Sequence, residues 1–231
     1  MKILGVEATS SFLSLAIYDN GRVCEYNLEV ARKLSCLLSV TIKRILDASG
    51  LRADDIDYFA CGLGPGSFTG IRVGLAAIKG MSWALKKPVI GISTLDILAQ
   101  SVKDSGALIV PVIDAKRSLI YCSVYKKRNE RLVRLKPYML LNEGELFKKV
   151  KGNVILLGDA LGLYRDKFLM NIKGAVLLDR DRWYPKASNM IELALERIKK
   201  GKPKISDDIK PIYLYRKECQ IKQSKKEKGK R

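Results

Sequence analysis

Histidine is absent from this chain of 231 residues. Without an imidazole there is no Ser-His-Asp or Cys-His nucleophilic centre, no histidine-ligated zinc and no imidazole general base. Cysteine is sparse, and the five cysteines form no Cys-x-x-Cys pair, which argues against a zinc knuckle or a thioredoxin-like redox motif. An odd number of cysteines spread through apolar segments is typical of small buried side chains in a reducing compartment.

Long uninterrupted hydrophobic runs are also lacking. The longest apolar, helix-like stretch covers residues 71–85, and Arg72 and Lys79 interrupt it, so we expect no membrane-spanning helix. At the start of the sequence, Glu7 lies where a secretory signal would need an apolar run. We therefore expect a cytoplasmic protein.

Acidic residues are in deficit: 43 Lys and Arg oppose 24 Asp and Glu, for a formal net charge of +19. Residues 216–231 contain eight Lys and Arg and only two Glu, and the last stretch has no apolar residue. This composition predicts a disordered basic tail over residues 217–231. The tail could bind RNA phosphates or serve solubility alone, and the sequence leaves both interpretations open.

The hydrophobic pattern predicts the same order of elements twice, βββαβαβα followed by a second βββαβαβα. In the first half we expect strands at 3–9, 12–18 and 23–29, a helix at 33–48, a strand at 57–62, a helix at 71–86, a strand at 88–92 and a helix at 95–102. In the second half we expect strands at 108–114, 119–125 and 132–135, a helix at 143–150, a strand at 154–158, a helix at 161–169, a strand at 175–178 and a helix from Ser188 to Lys200.

Two copies of this order predict an α/β protein with two lobes, each a mixed sheet covered by helices. The polar stretch near residues 101–106 marks the boundary. We therefore assign an N-terminal lobe to residues 1–102, a C-terminal lobe to 103–216 and the basic tail to 217–231. Residues 211–215 form a last short extended piece.

A glycine-rich loop is the most specific local feature. It joins a strand to a helix, and we expect Thr69 to cap a helix that begins near Ile71. Free N–H groups at the helix start could bind phosphate, but no Walker lysine follows and the spacing is not GxGxxG. We favour a structural turn made of Gly64, Pro65, Gly66, Ser67, Phe68 and Thr69.

The first two helices carry more apolar surface than one sheet face requires. Small residues four apart on the second helix would let another helix come close, and methionine adds adaptable contact. Side by side, the two helices could form a four-helix interface with an equivalent pair on a partner, although packing on their own sheet would also explain the pattern. The candidate partner-binding residues are Leu34, Leu37, Leu38, Thr41, Ile45, Gly70, Arg72, Gly74, Ala77, Ile78 and Met81.

Five motifs in order give the chain a family resemblance. The segment Gly62–Gly74 is similar to the GxGPGSFTGxRxG motif of the TsaB family, also called YeaZ. The other matches are the stretches GISTL at 91–95, PVIDAKR at 111–117, LGDA at 157–160 and PIYLY at 211–215, with Lys116 and Tyr215 where the family usually has arginine. The resemblance covers about 210 residues.

The resemblance implies the actin, Hsp70 and sugar-kinase fold, which is ribonuclease H-like. It also implies a non-catalytic subunit that binds and activates the TsaD transferase in forming N6-threonylcarbamoyladenosine (t6A) at position 37 of tRNAs reading codons that begin with A. In that system the ATPase TsaE completes the assembly, and ATP and metal are expected on the partner subunits, so we expect no cofactor here. TsaB-like proteins pair through the first lobe either with TsaD or with themselves, and contact with tRNA would come through the complex.

Two departures from the family pattern bear on chemistry. The family usually opens with an aspartate where Glu7 stands, and with a His-Ser pair where Leu34-Ser35 stands. In catalytic relatives the first-strand acid positions magnesium and nucleotide. An alternative hypothesis is therefore a nucleotide-binding phosphotransferase or ATPase, with Glu7 and Asp114 near the phosphates. We expect the acids Asp54, Asp55, Asp57, Asp179 and Asp181 to cap or solvate turns, although a hard cation could bind them.

Overall fold

The chain folds as strands and helices in two related halves. The structure, a computed structural model, describes residues 1–30, 33–103, 106–201 and 209–215. The elements of the first half are β1 (Lys2–Glu7), β2 (Phe12–Asp19), β3 (Arg22–Glu29), α1 (Leu34–Ala48), β4 (Tyr58–Gly62), α2 (Phe68–Leu85), β5 (Val89–Ile92) and α3 (Thr94–Gln100). Their strands form a sheet of order β3-β2-β1-β4-β5.

The second half has more strands. Its elements are β6 (Leu108–Asp114), β7 (Leu119–Cys122), β8 (Tyr125–Arg128), β9 (Arg131–Arg134), β10 (Met139–Asn142), α4 (Glu143–Lys149), β11 (Val154–Leu157), α5 (Leu161–Asn171), β12 (Ala175–Leu177) and α6 (Ala187–Lys199). The main path of this sheet is β10-β7-β6-β11-β12, and β8 pairs with both β6 and β9. The predicted two-lobed α/β fold is confirmed.

Strand β1 shows why the first half folds as it does. Leu4 and Val6 face the helices α1 and α2, whereas Ile3 on the opposite face packs against α6. A strand covered by helices on both faces must be apolar along its length, as the sequence of β1 is. The turn from β2 to β3 has φ of 45° at Asn20 and 97° at Gly21, the positive values that a tight two-residue Asn-Gly hairpin requires.

The third strand of the second half differs from the prediction. The expected strand at 132–135 is β9, which among the described strands pairs only with β8. The strand that occupies the place of β3 is β10, pairing with β7 from Met139↔Cys122 to Asn142↔Leu119. The expected strand at 119–125 also divides in two, because the chain leaves β7 after Cys122 and resumes pairing at Tyr125. The β8–β9 hairpin is thus an insertion relative to the first half.

Helix α6 follows the second half in sequence but packs on the first sheet. Its apolar face, including Met190 and Ile191, shares a buried cluster with Ile3 and Ile92. The amide of Ala187 donates to Ser14 Oγ at 2.8 Å, and the amide of Ser188 donates to Glu25 Oε1 at 2.8 Å. The chain therefore crosses back to the first lobe within the range that the sequence assigned to the second.

Two expected helix starts are corrected. Helix α2 begins at Phe68, and Ser67 rather than Thr69 is its N-cap, accepting from the Gly70 amide at 3.2 Å. Helix α6 begins at Ala187 after Lys186, whose side chain makes no capping bond, so Ser188 lies inside the helix. Residues 211–215 form no strand, although the Ile212 amide donates to the Leu63 carbonyl at 2.8 Å. The basic tail lies outside the described residues.

No helix among the described ranges is long and apolar enough to cross a membrane.

Candidate partner-binding groove and interlobe cleft

A groove of about 660 Å³ runs between α1 and α2. Its floor consists of two rows of apolar side chains spaced four residues apart, one row on each helix. Leu38, Ile42 and Leu46 form the α1 row, and Val73, Ala77 and Met81 form the α2 row. Residues at i and i+4 lie on one face of a helix, so the two rows present a continuous apolar surface.

A polar rim borders the groove. Lys43 and Asp47 form an ion pair of 2.9 Å one turn apart on α1, and Arg52 lies beyond the C-terminal end of that helix. An apolar floor with a polar rim is the arrangement found at protein–protein interfaces. The groove thus has the composition of a protein-binding surface.

Most of the candidate partner-binding residues lie beneath this surface. The structure buries seven of them in the first lobe: Leu34, Leu38, Thr41, Ile45, Gly70, Gly74 and Ile78. Four remain accessible to a partner: Leu37, Arg72, Ala77 and Met81. Binding through the two helices remains a prediction, and the accessible residues are the ones that can carry it.

The glycines of α2 serve the chain's own packing. A Cβ on Gly70 would lie 1.9 Å from the Ala8 carbonyl oxygen, and one on Gly74 would lie 3.3 Å from the Ala8 Cβ. The small residues therefore bring α2 close to the end of β1 rather than to a partner helix. The neighbouring row of Val73, Ala77 and Met81 faces the groove instead. Val73, Ile42 and Leu46 were not among the predicted partner-binding residues, because the spacing of apolar residues does not show which row on each helix borders the groove.

Backbone amides of the glycine-rich loop and of the start of α2 are hydrogen-bonded within the chain. The Ser67 amide donates to the Thr9 carbonyl at 2.7 Å, and the Gly70 and Ile71 amides donate to Ser67. Gly64 has φ of 89°, and a side chain there would meet Ile71 at 2.5 Å. Because these amides are already paired within the chain, the geometry favours the structural turn over a phosphate cradle.

Arg72 lies on the exposed side of the same turn. Its guanidinium stands 3.8 Å from the ring centre of Phe68, and its Nε donates to the Tyr213 hydroxyl at 3.3 Å. The contact joins the start of α2 to the extended segment 209–215. Arg72 is therefore held in place at the edge of the predicted interface.

A second cavity, of about 640 Å³, lies between the lobes. The phosphotransferase hypothesis would need nucleotide to bind here, because Asp114 lines this cavity. The lining includes Ser67 from the first lobe and Asp114, Lys116 and Asp159 from the second. Glu7 is not among the lining residues.

Glu7 is enclosed within the first sheet. Its side chain has no exposure, and its Oε1 accepts from the Thr9 amide at 2.7 Å. A Cβ on Gly62 would lie 2.0 Å from Glu7 Oε2, so the glycine makes room for the carboxyl group. Burial raises the pKa of Glu7 to about 7, with hydrogen bonds from Thr9 opposing the rise. A carboxyl group in this position is not presented to a ligand in the cleft.

The two acids of the cleft, Asp114 and Asp159, are engaged in contacts within the second lobe. Asp159 accepts from the Asp114 amide at 2.8 Å, and Asp114 forms an ion pair with Lys116. Burial raises the pKa of Asp159 to about 6. Lys116, Arg117 and Ser118 have φ of 63°, 52° and 57°, a left-handed run that non-glycine residues rarely adopt. Asp114 thus orders a strained loop at the lobe junction.

The other acids that the sequence singled out for a possible cation site make hydrogen bonds or ion pairs at turns. Asp55 accepts from the Arg52 amide at 2.8 Å, and Asp57 accepts from the Lys2 amide at 2.8 Å. Asp54 pairs with Arg52 and Asp181 with Arg182. Within the described ranges, no three residues of types His, Cys, Asp or Glu cluster so as to hold a metal ion.

The two sheets, each a mixed sheet with strand order of the same type, define a two-lobed α/β protein. The chain belongs to the family described as "TsaD: tRNA N6-adenosine threonylcarbamoyltransferase", whose model matches residues 28–219, and within it to the TsaB (YeaZ) branch.

Similarity to the TsaB branch extends over most of the chain. It is 28% identical over 223 residues to the "tRNA threonylcarbamoyladenosine biosynthesis protein TsaB" of Escherichia coli, covering 93% of this chain and 94% of that protein. The Bacillus subtilis TsaB is 27% identical over 169 residues, covering 71% of this chain and 74% of the relative.

Similarity to a transferase is shorter. The "tRNA N6-adenosine threonylcarbamoyltransferase" of Clostridium kluyveri is 30% identical over 113 residues, covering 42% of this chain and 33% of that enzyme. Among solved structures, "YeaZ from Pseudomonas aeruginosa" superposes with a TM-score of 0.79 at 23% identity, covering 92% of this chain and 99% of that one. The structural similarity supports the fold.

Proposed function

We propose that this chain is a non-catalytic subunit in t6A formation, which binds a TsaD-type transferase through the α1–α2 groove and holds it in a competent state. The groove is the observation that carries the proposal, because it presents an apolar floor on which the chain's own packing leaves Val73, Ala77 and Met81 partly accessible. The names of the relatives that match over most of the chain place them in t6A biosynthesis.

The chemistry of the chain supports a role without catalysis. There is no histidine to ligate a metal or to act as a general base. Glu7 is enclosed within its sheet, and Asp114 pairs with Lys116. We therefore propose that ATP and metal act on the partner subunits, including a TsaE-type ATPase, and that tRNA contact arises in the complex. A homodimer through the same groove is the competing assembly.

The interface can be tested with adjacent alanines on α2. Ala77 lines the groove and is partly accessible, whereas Ala76 is exposed on the neighbouring face. Ala77→Arg places a charge on the apolar floor and should weaken binding to the same organism's TsaD by several kcal/mol, since a bulky group at an interface centre disrupts its packing. Ala76→Arg carries the same charge and should bind normally.

Co-purification and sedimentation velocity measure both variants. Equal binding by the Ala77→Arg and Ala76→Arg variants would place the interface elsewhere. Loss of self-association with retained TsaD binding would mean that the groove serves the homodimer instead.

The phosphotransferase hypothesis is the alternative. It requires the interlobe cleft to bind nucleotide with magnesium, and the pairing of Asp114, Lys116 and Asp159 argues against an open phosphate site. Calorimetry with ATP and magnesium on the isolated chain tests it.

A further inference from the structure

The inserted β8–β9 hairpin carries an unusual concentration of charge. Residues 125–134 contain five Lys and Arg and one Glu. The hairpin is joined by a two-residue turn at Asn129 and Glu130, whose φ values of 50° and 60° fit the tight turn that matches the twist of paired strands. The charges are therefore displayed on a short, well-defined ribbon.

Pairing divides the hairpin into two faces. The register places Lys127 opposite Leu132, and both pack inward, with Lys127 buried and its Nζ donating to the Gln100 carbonyl at 3.1 Å. The other face alternates with this one. It carries Lys126 opposite Val133, and Arg128 opposite Arg131. One face thus anchors the hairpin, and the other carries the half-buried Lys126 and the exposed Arg128 and Arg131.

The outer cations lack an anionic partner in the part of the chain that the structure describes. Among the described residues, Lys126, Arg128 and Arg131 take part in no ion pair. Arg128 and Arg131 lie directly across from each other, and like charges in that position destabilise a strand pair. An anion bound between the two guanidinium groups would offset this repulsion.

We propose that the outer face of the β8–β9 hairpin binds the phosphate backbone of RNA, and that in the assembled complex this RNA is the substrate tRNA. The identity of the RNA rests on the proposed function, whereas the phosphate-binding surface does not. Arginine forks suit phosphate geometry, and backbone contacts position a nucleic acid without reading its sequence.

The composition of the face favours RNA over a protein partner. Protein interfaces have apolar or aromatic anchors at their centre and few lysines there. Here Val133 is the apolar residue among Lys126, Arg128 and Arg131, and its side chain is only half-buried. Double-stranded RNA is bound mainly through its shape and its phosphate and sugar groups, which this cationic ribbon could meet.

A simpler explanation for the charges is protection of the sheet edge. Within the described ranges, strand β9 pairs only with β8, and charged residues on an edge strand discourage pairing with other chains. The two explanations differ in what happens when the charges are removed.

The test uses the full chain and fluorescently labelled, unmodified tRNA, with anisotropy measured at about 50, 100 and 200 mM KCl. The test variant combines Arg128→Ala with Arg131→Ala, and the conservative variant combines Arg128→Lys with Arg131→Lys. The matched control, Lys148→Ala with Arg165→Ala, removes two exposed cations from α4 and α5.

Loss of two phosphate contacts should lower the slope of log K against log salt by about 2. The ratio of wild-type to variant affinity should then shrink roughly tenfold between about 50 and 200 mM. The lysine variant should keep most of the slope, because lysine still binds phosphate as a point charge. The control variant should keep the wild-type slope.

Three results would overturn the proposal. The first is an alanine variant whose tRNA affinity has the same salt slope as the wild type. If that variant also aggregates, the charges protect the sheet edge and do not bind RNA. The second is an equal loss in the control variant, which would indicate a general effect of net charge. The third is loss of transferase binding with tRNA affinity unchanged, which would indicate an acidic protein partner. The proposed function fails by a separate measurement, namely t6A formation without the chain.

Discussion

Replacing Glu7 with glutamine tests whether this residue is a buried neutral carboxyl group rather than a ligand. The side chain lies within the sheet with no exposure, and Oε2 has no hydrogen-bond partner among the described residues. Burial raises its pKa from 4.5 to about 7. Glutamine keeps an oxygen that can accept from the Thr9 amide, and it carries no charge at any pH.

The size and sign of the effect follow from proton linkage. The native state holds a proton on Glu7 between about pH 4.5 and 7, where the unfolded state has released it. The contribution of Glu7 to stability is therefore fully present below the unfolded-state pKa of 4.5. It is lost as the pH rises through the native-state pKa of about 7. A shift from 4.5 to about 7 corresponds to about 3 kcal/mol.

Urea unfolding of the wild type and the Glu7→Gln variant at pH 5 and pH 8 measures this effect. The stability of the variant relative to the wild type should rise by about 2–3 kcal/mol between these pH values, slightly less than the full value because pH 5 already lies above the lower pKa. The matched control is Glu29→Gln at the exposed end of β3, which removes a carboxylate from solvent. Parallel pH profiles for the wild type and the Glu7→Gln variant would refute the reasoning.

Three further predictions follow from packing and charge. Gly74→Trp should lower the unfolding temperature of the isolated chain, because Gly74 faces the Ala8 Cβ and overpacking costs about 1–3 kcal/mol or more; an unchanged melting curve would contradict this. The isolated chain should bind ATP weakly or not at all by calorimetry, and a micromolar, magnesium-dependent site would favour the phosphotransferase hypothesis. Truncation after Cys219 should leave thermal unfolding nearly unchanged. If the tail contacts tRNA, truncation should also weaken tRNA binding by the complex, most strongly at low salt. Equal tRNA affinity of the full and truncated chains at about 50 mM salt would mean that the tail serves solubility alone.

The sequence predicted the first lobe well because its signals are local. Asn20-Gly21 marks a tight turn, β1 is a continuous apolar run, and α1 has regular apolar spacing. Each of these patterns has one dominant physical explanation, so the predicted elements agree with the observed ones.

The second lobe was harder to predict because its pairing depends on distant residues. The apolar residues near 132–135 resemble a third strand, and the sequence gives no sign that β10 takes that place while β9 belongs to an inserted hairpin. The packing of α6 on the first sheet is likewise set by contacts such as Ala187 with Ser14, which lie 173 residues apart. Amphipathic spacing identifies a helix without identifying the sheet that it covers.

The sequence predicted the two helices of the candidate site correctly, but most of the residues that it selected lie on their buried faces. The spacing of Gly70, Gly74 and Ile78 is that of a packing row, and the sequence does not distinguish a partner helix from the chain's own strand β1 as its neighbour. The adjacent row of Val73, Ala77 and Met81 becomes apparent only when α1 is placed beside α2. Which of these two rows on α2 faces outward depends on tertiary packing, which the spacing of residues in the sequence does not determine.

The most direct test of the central claim is reconstitution of tRNA threonylcarbamoylation with the same organism's TsaD and TsaE, with and without this chain. The account predicts that modification requires the chain, that Ala76→Arg supports it, and that Ala77→Arg does not. Modification that proceeds equally well when the chain is left out would contradict the account.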